Sequence, residues 1–236
     1  MQSLVFEVSK FFKANVDVNI AGVLATSSAS VVALFIAAWG WWDAKKQRDE
    51  DRKEREKKEA KDILRIENNN AAYTSRYLRY LLTIAEQIEY KSNGESDFIR
   101  LKSSKLLLDK LSEGWKRVVI TQNMSNTISF IDNLKGVDLI TCLEKVLVIL
   151  GAAVNADPLS VEERKFDDCS KIMSDIFSLM FRCARAYQQE CYEKLTQSSS
   201  INETNKINVV LNDEIIDLIK EINEQIKCLR GEDKAA

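Results

Sequence analysis

The hydrophobic pattern of the chain breaks its helical period once. Residues 18–42 run for 25 positions without a single Asp, Glu, Lys or Arg. At about 1.5 Å per residue, a helix of that length reaches the roughly 30 Å hydrocarbon thickness of a bilayer. A core helix of a soluble domain keeps a polar face over such a length. The apolar part of a cleaved signal is shorter, about 7–15 residues. The pattern therefore predicts a transmembrane helix over 18–42. Its end reads WGWWDAKK, with Trp39, Trp41 and Trp42 as an aromatic belt and Lys45 and Lys46 as headgroup anchors. Ahead of it, residues 1–17 place Leu4, Val5, Val8, Phe11 and Phe12 on one helical face, with Glu7, Lys10 and Lys13 mostly on the other. That predicts an amphipathic tail, lying in the interface or extending the span.

After the span the pattern turns polar. Residues 43–62 carry nine basic and eight acidic side chains and almost nothing apolar. Asp49 with Lys53, Asp51 with Arg55, and Glu54 with Lys58 are acid-first i, i+4 pairs, so the segment reads as a charged helical stalk. Binding of its bases to anionic headgroups is the other reading, weakened by the interleaved acids.

Apolar residues at helical spacing return over 63–230 and predict an α-helical domain. Ile63, Ile66, Tyr73, Tyr77, Leu81, Ile84 and Ile88 form a stripe widened by Leu78, Leu82 and Ala85, up to a turn at Asn93-Gly94. A second helix is expected from 97 to 111 and shorter ones over 115–122 and 125–134, with Gly114 and Gly136 as breaks. The apolar stretch 139–154 contains Glu144 and Lys145. At about 2.5–3.5 kcal/mol per charge at a span centre, it reads as a buried core helix rather than a second span. Past a turn at 155–158, Ser160 and Glu163 form a capping box opening a long helix to about Gln197. Its inner face holds Ile172, Ile176, Leu179 and Cys183, with Met180 and Tyr187 alongside. The stretch SSSINETN is a loop. A last helix uses Leu211, Ile215, Leu218, Ile222, Ile226 and Leu229, packing on the core or zipping to a partner, and Gly231 closes it. Residues 231–236 remain as a short tail. The fold class expected is all-α: one transmembrane helix, a stalk and a helical bundle.

Within the span, Ala21, Ala25, Ala29, Ala33 and Ala37 form an unbroken i, i+4 row, flanked by Gly22, Thr26 and Ser30. Between helices in lipid there is no hydrophobic force, and small residues let backbones approach, so the row reads as a packing face for a homo-oligomer. Ser27, Ser28 and Ser30 add hydroxyls that bond across a helix pair or back to their own carbonyls.

Charge sets the orientation. Nine Lys and Arg lie between 45 and 61, against Lys10 and Lys13 before the span, so residues 43–236 are expected on the cytosolic side and the N-terminus outside. The formal net charge is −2, which supplies no field to recruit nucleic acid, and no direct nucleic-acid binding is expected. The aromatic-basic run YTSRYLRYLL could stack bases. Tyr73, Tyr77 and Tyr80 at helical spacing instead read as core or boundary residues.

The chemistry is a set of absences. The chain has no His, the commonest general base and metal ligand. Its seven Gly stand singly at 22, 40, 94, 114, 136, 151 and 231, so no phosphate-cradling or dinucleotide fingerprint can be drawn. Cys142, Cys169, Cys183, Cys191 and Cys228 contain no CxxC pair and read as small core residues. Glu162-Glu163 and Asp167-Asp168 suit a helix start better than a catalytic dyad. No catalytic, cofactor or metal residue is expected, and no enzyme activity.

The layout of a short tail, one span ending in AAWGWWDAKKQRDED, and a helical domain resembles small bacterial membrane effectors of anti-phage systems, such as those encoded beside retron reverse transcriptases. The resemblance implies an inner-membrane protein held inactive by a cytosolic protein partner and released to damage the membrane. Its binding surfaces would be membrane lipid and copies of itself. The competing expectation is a membrane-tethered scaffold or regulator that docks a cytosolic partner.

Overall fold

The computed structural model describes residues 2–92, 97–121, 124–134, 137–156, 163–197 and 207–230, with side chains from residue 30 onward and from 99 and 165 in the second and fifth helices. All regular structure among them is helical: α1 (Gln2–Ser92), α2 (Asp97–Ile120), α3 (Ser125–Asp132), α4 (Leu139–Asn155), α5 (Glu163–Thr196) and α6 (Asp213–Arg230). The chain forms two compact units, Met1–Lys58 and Glu59–Ala236.

In the second unit the last part of α1 and helices α2 to α6 share one apolar core. α5 is its centre: Ile172, Ile176, Leu179, Met180, Cys183 and Tyr187 are all buried, as their spacing predicts, and Phe166, Met173 and Phe177 join them. Trp115 of α2 meets Phe177 edge-on, with ring centroids 6.0 Å apart. α4 is a core helix, with Leu139, Leu143, Val146 and Leu150 buried. The Asp138 carboxylate caps it by accepting from the Thr141 amide at 3.0 Å. α6 packs on the core through Ile215, Ile219, Ile222 and Ile226 rather than facing outward, and Asn212 caps its start by accepting from the Ile215 amide at 3.1 Å.

Four expectations are corrected. Gly114 does not end a helix; α2 runs through it to Ile120, because its missing Cβ makes room for Leu81 of α1. The stripe on α1 splits between two faces. Leu78, Leu81, Ile84, Ala85 and Ile88 are buried, whereas Ile63, Ile66 and Tyr73 are exposed and Leu64 and Ala71 take the inner positions. A period of three or four fixes a stripe but not which edge of it a neighbouring helix covers. Cys228 is exposed, unlike the four buried cysteines, because it lies one step off the Ile222–Ile226 line of α6. In the stalk the i, i+4 ion pairs among the described residues are base-first, Lys46–Glu50 at 4.0 Å and Arg52–Glu56 at 2.9 Å. Both are well exposed and contribute little to stability. The turns at Asn93-Gly94, Gly136 and 157–158, the Ser160 cap, the loop SSSINETN and Gly231 lie outside the described residues.

Candidate membrane and docking faces

The sequence-predicted membrane residues all lie on α1. Ala21, Gly22, Ala25, Thr26 and Ala29, and the side chains of the amphipathic tail, fall outside those described. Ser30, Ala33 and Ala37 are exposed, at the i, i+4 or i+3 spacing that one helix face requires. Around them Val31, Val32, Leu34, Phe35 and Ile36 are exposed at 51–73%. Consecutive positions point in every direction from a helix, so this segment is apolar all round and covered by nothing in the chain. Among the described residues no helix is long and apolar enough to cross a membrane. The transmembrane helix expected over 18–42 is thus not found there; the described part of it, 30–42, is too short by itself.

The predicted anchors form a cluster. Trp39 and Trp42 are one helical turn apart, with ring centroids at 6.2 Å. The Lys45 ammonium stands 5.5 Å from the Trp41 ring centre, a cation–π distance, while Lys46 turns to Glu50. Trp41 and Lys45 are i and i+4, which is why they meet. The Arg48 guanidinium donates to the Ala44 carbonyl at 3.0 Å.

In the helical domain, the Glu67 carboxylate of α1 is the densest polar node. It accepts from Asn126 of α3 at 2.5 Å and from the Tyr187 hydroxyl of α5 at 3.2 Å. Tyr187 also lies against Phe130, with centroids 5.2 Å apart, and burial beside the Glu67 charge holds its phenol above the ordinary range. A residue with charge on an inner helix position is the only sequence signal for this node, and 59 and 120 residues separate its partners. Arg100 is a second buried polar group, 3.9 Å from Asp167 and stacked 5.0 Å from the Phe166 ring centre.

Burial pushes the thiols of Cys169, Cys183 and Cys191 up to about 11, 12 and 12, so they stay protonated at neutral pH. That is the opposite of an activated nucleophile. Among the described residues no group of three or more His, Cys, Asp or Glu could hold a metal ion. A cleft of about 900 Å³ lies along the last turns of α5, lined by Phe181, Arg182, Arg185, Tyr192 and Glu214. Its arginines already face Glu214 at 3.6 Å and Gln188 at 3.4 Å, so it presents no single sign of charge.

Three tyrosines complete the surface of α1. Tyr73 and Tyr77 stack at 6.3 Å, and Tyr77 meets Tyr80 at 6.1 Å. Tyr77 is half-buried, near the boundary position expected, but Tyr73 and Tyr80 are exposed. Arg79 turns away from them to lie 5.6 Å from the Phe181 ring. No family model matches the chain, and neither curated proteins nor solved structures contain a match to it.

Proposed function

We propose that this chain is a single-pass membrane protein of the bacterial inner membrane, a non-enzymatic effector that oligomerises through its span and perturbs the bilayer under control of a cytosolic protein partner. The observation that carries the reading is the exposed, all-round apolar surface of α1 from Val31 to Ile36, leading directly into Trp39, Trp41, Trp42 and Lys45. Leaving such a surface in water costs about 25 cal/mol per Å², and lipid is the surrounding that removes this cost on every side of one helix at once. The uncharged stretch of the sequence extends it upstream to 18, which makes 25 residues, the length of a span. Nine basic residues after the stretch against two before it support an outside N-terminus and a cytosolic helical domain. The small row Ala21, Ala25, Ala29, Ala33 and Ala37 supports close packing of spans. The absence of His in the sequence and the protonated thiols support an action without covalent chemistry. The layout that resembles anti-phage membrane effectors supports a defence role.

Expression in bacteria with a membrane-potential dye tests the reading. Full-length protein and residues 1–62 should depolarise the membrane, and residues 63–236 should not. Growth arrest by 63–236 with the potential intact would sink the effector reading. The cleft along α5 favours a second reading, a tethered scaffold that docks a cytosolic partner there. It takes over if no form of the chain depolarises the membrane.

A further inference from the structure

Ile63, Ile66, Asn70, Tyr73, Tyr77 and Tyr80 lie on α1 with spacings of three, four, three, four and three. This is the 3.5-residue repeat of a coiled-coil seam, not the broader stripe of a globular helix. It runs beside the buried face marked by Leu64, Ala71 and Leu78. Ile63, Ile66, Tyr73 and Tyr80 are exposed at 50%, 59%, 54% and 53%, while Ile84 and Ile88 farther along the same helix are covered. Going back along the repeat, the next positions are Glu59, Glu56 and Arg52, so the apolar row starts where the charged stalk ends.

We infer that this row is the seam of a parallel homodimer, in which α1 of a second copy of the chain packs along residues 63–80. Asn70 selects this occupant. It stands in the middle of the row at a core position of the repeat, where a two-fold axis pairs its amide with the same amide of the second copy. A lipid surface or an apolar groove would bury that amide without a partner, at about 1–3 kcal/mol. A single polar residue at such a position is also what sets register and strand number in parallel dimers. The tyrosines are already stacked on one another, so little rotamer freedom is left to lose when a second copy covers them.

The seam is about 27 Å long by helix rise, shorter than the three to four heptads that a free-standing coiled coil uses. Confinement of both copies in one membrane raises their effective concentration and gives them the same direction. For that confinement, and for the parallel direction, the inference rests on the membrane-anchored reading.

The test uses the full chain with Cys228→Ser, which removes the exposed thiol and leaves the four buried ones. Ile66→Cys and Tyr73→Cys are introduced separately, with Glu86→Cys on the far, exposed side of α1 as control. Membranes are oxidised with copper phenanthroline and then floated on a density gradient. Cross-linked dimer at 66 and 73, at least several-fold above 86, is the expected result. Equal yields at all three positions, or none at 66 and 73, overturn the seam. A chain that floats but does not cross-link loses the seam and keeps the anchor. One that cross-links but does not float keeps the seam and loses the anchor.

Discussion

Gly114 of α2 and Leu81 of α1 occupy the same space that a larger residue would need: a Cβ on Gly114 would lie 2.6 Å from Leu81 Cδ2. Leu81 is fully buried and has no free direction in which to retreat. The glycine therefore sits in the interior of a helix at a propensity cost of about 0.5–1 kcal/mol, because the helix pair closes over it. Gly114→Ala recovers that propensity but overpacks the contact, at about 1–3 kcal/mol. The expected net effect is a loss of about 1 kcal/mol in urea denaturation of the full chain in detergent. In a Leu81→Ala background the same substitution should become neutral or stabilising. Equal effects in both backgrounds would remove the steric explanation.

Glu67 ties three helices through one carboxylate. Tyr187→Phe and Asn126→Ala should each cost about 1 kcal/mol, the net worth of an ordinary hydrogen bond or somewhat more beside a charge. Glu67→Ala should cost more than either, since it leaves the Tyr187 hydroxyl in its enclosed position without an acceptor. Because the node is shared, the double variant Tyr187→Phe with Asn126→Ala should depart from the sum of the singles by at least 0.5 kcal/mol. Additivity would show two independent contacts.

Stability should fall in alkali, and the sign follows from the buried acids. Folding raises the thiols of Cys169, Cys183 and Cys191 from 9.0 to about 11, 12 and 12, chiefly through desolvation, and it raises the Tyr187 phenol for the same reason. A group whose folded value is raised stabilises the fold fully below its unfolded value and loses that contribution as pH climbs toward the folded value. The denaturation midpoint should thus be flat through these groups from pH 6 to 8 and drop between pH 9 and 12. Cys183→Ala should make the alkaline drop shallower, whatever it does to stability at pH 7. An unchanged slope would mean that this thiol does not titrate on unfolding.

Much of the helical domain is legible in the pattern of apolar residues. The inner face of α5 was readable because Ile172, Ile176, Leu179 and Cys183 sit at helical spacing on a long helix buried in the middle of the bundle. Two other features were not. Gly114 looks like punctuation in sequence, because a glycine's cost is local while its reason, the approach of Leu81, lies 33 residues away. On α1 the run from Ile63 to Ile88 supports a wide stripe, yet only a neighbouring helix decides which edge is covered, and that left Ile63, Ile66 and Tyr73 outside. The Glu67 node was invisible for the same reason, since Asn126 and Tyr187 carry no local sign of their partner. The candidate membrane face was read almost wholly from the missing charges between 18 and 42, a signal that needs no tertiary contact.

The central claim, that α1 crosses a membrane, is tested most directly by washing membranes from cells expressing the full chain with alkaline carbonate. The account predicts that the chain stays in the membrane pellet. It also predicts that Ser30→Arg, which puts a charge at the middle of the uncharged stretch at about 2.5–3.5 kcal/mol, shifts part of it to the supernatant. Complete release of the unsubstituted chain by carbonate would contradict the span, and with it the proposed function.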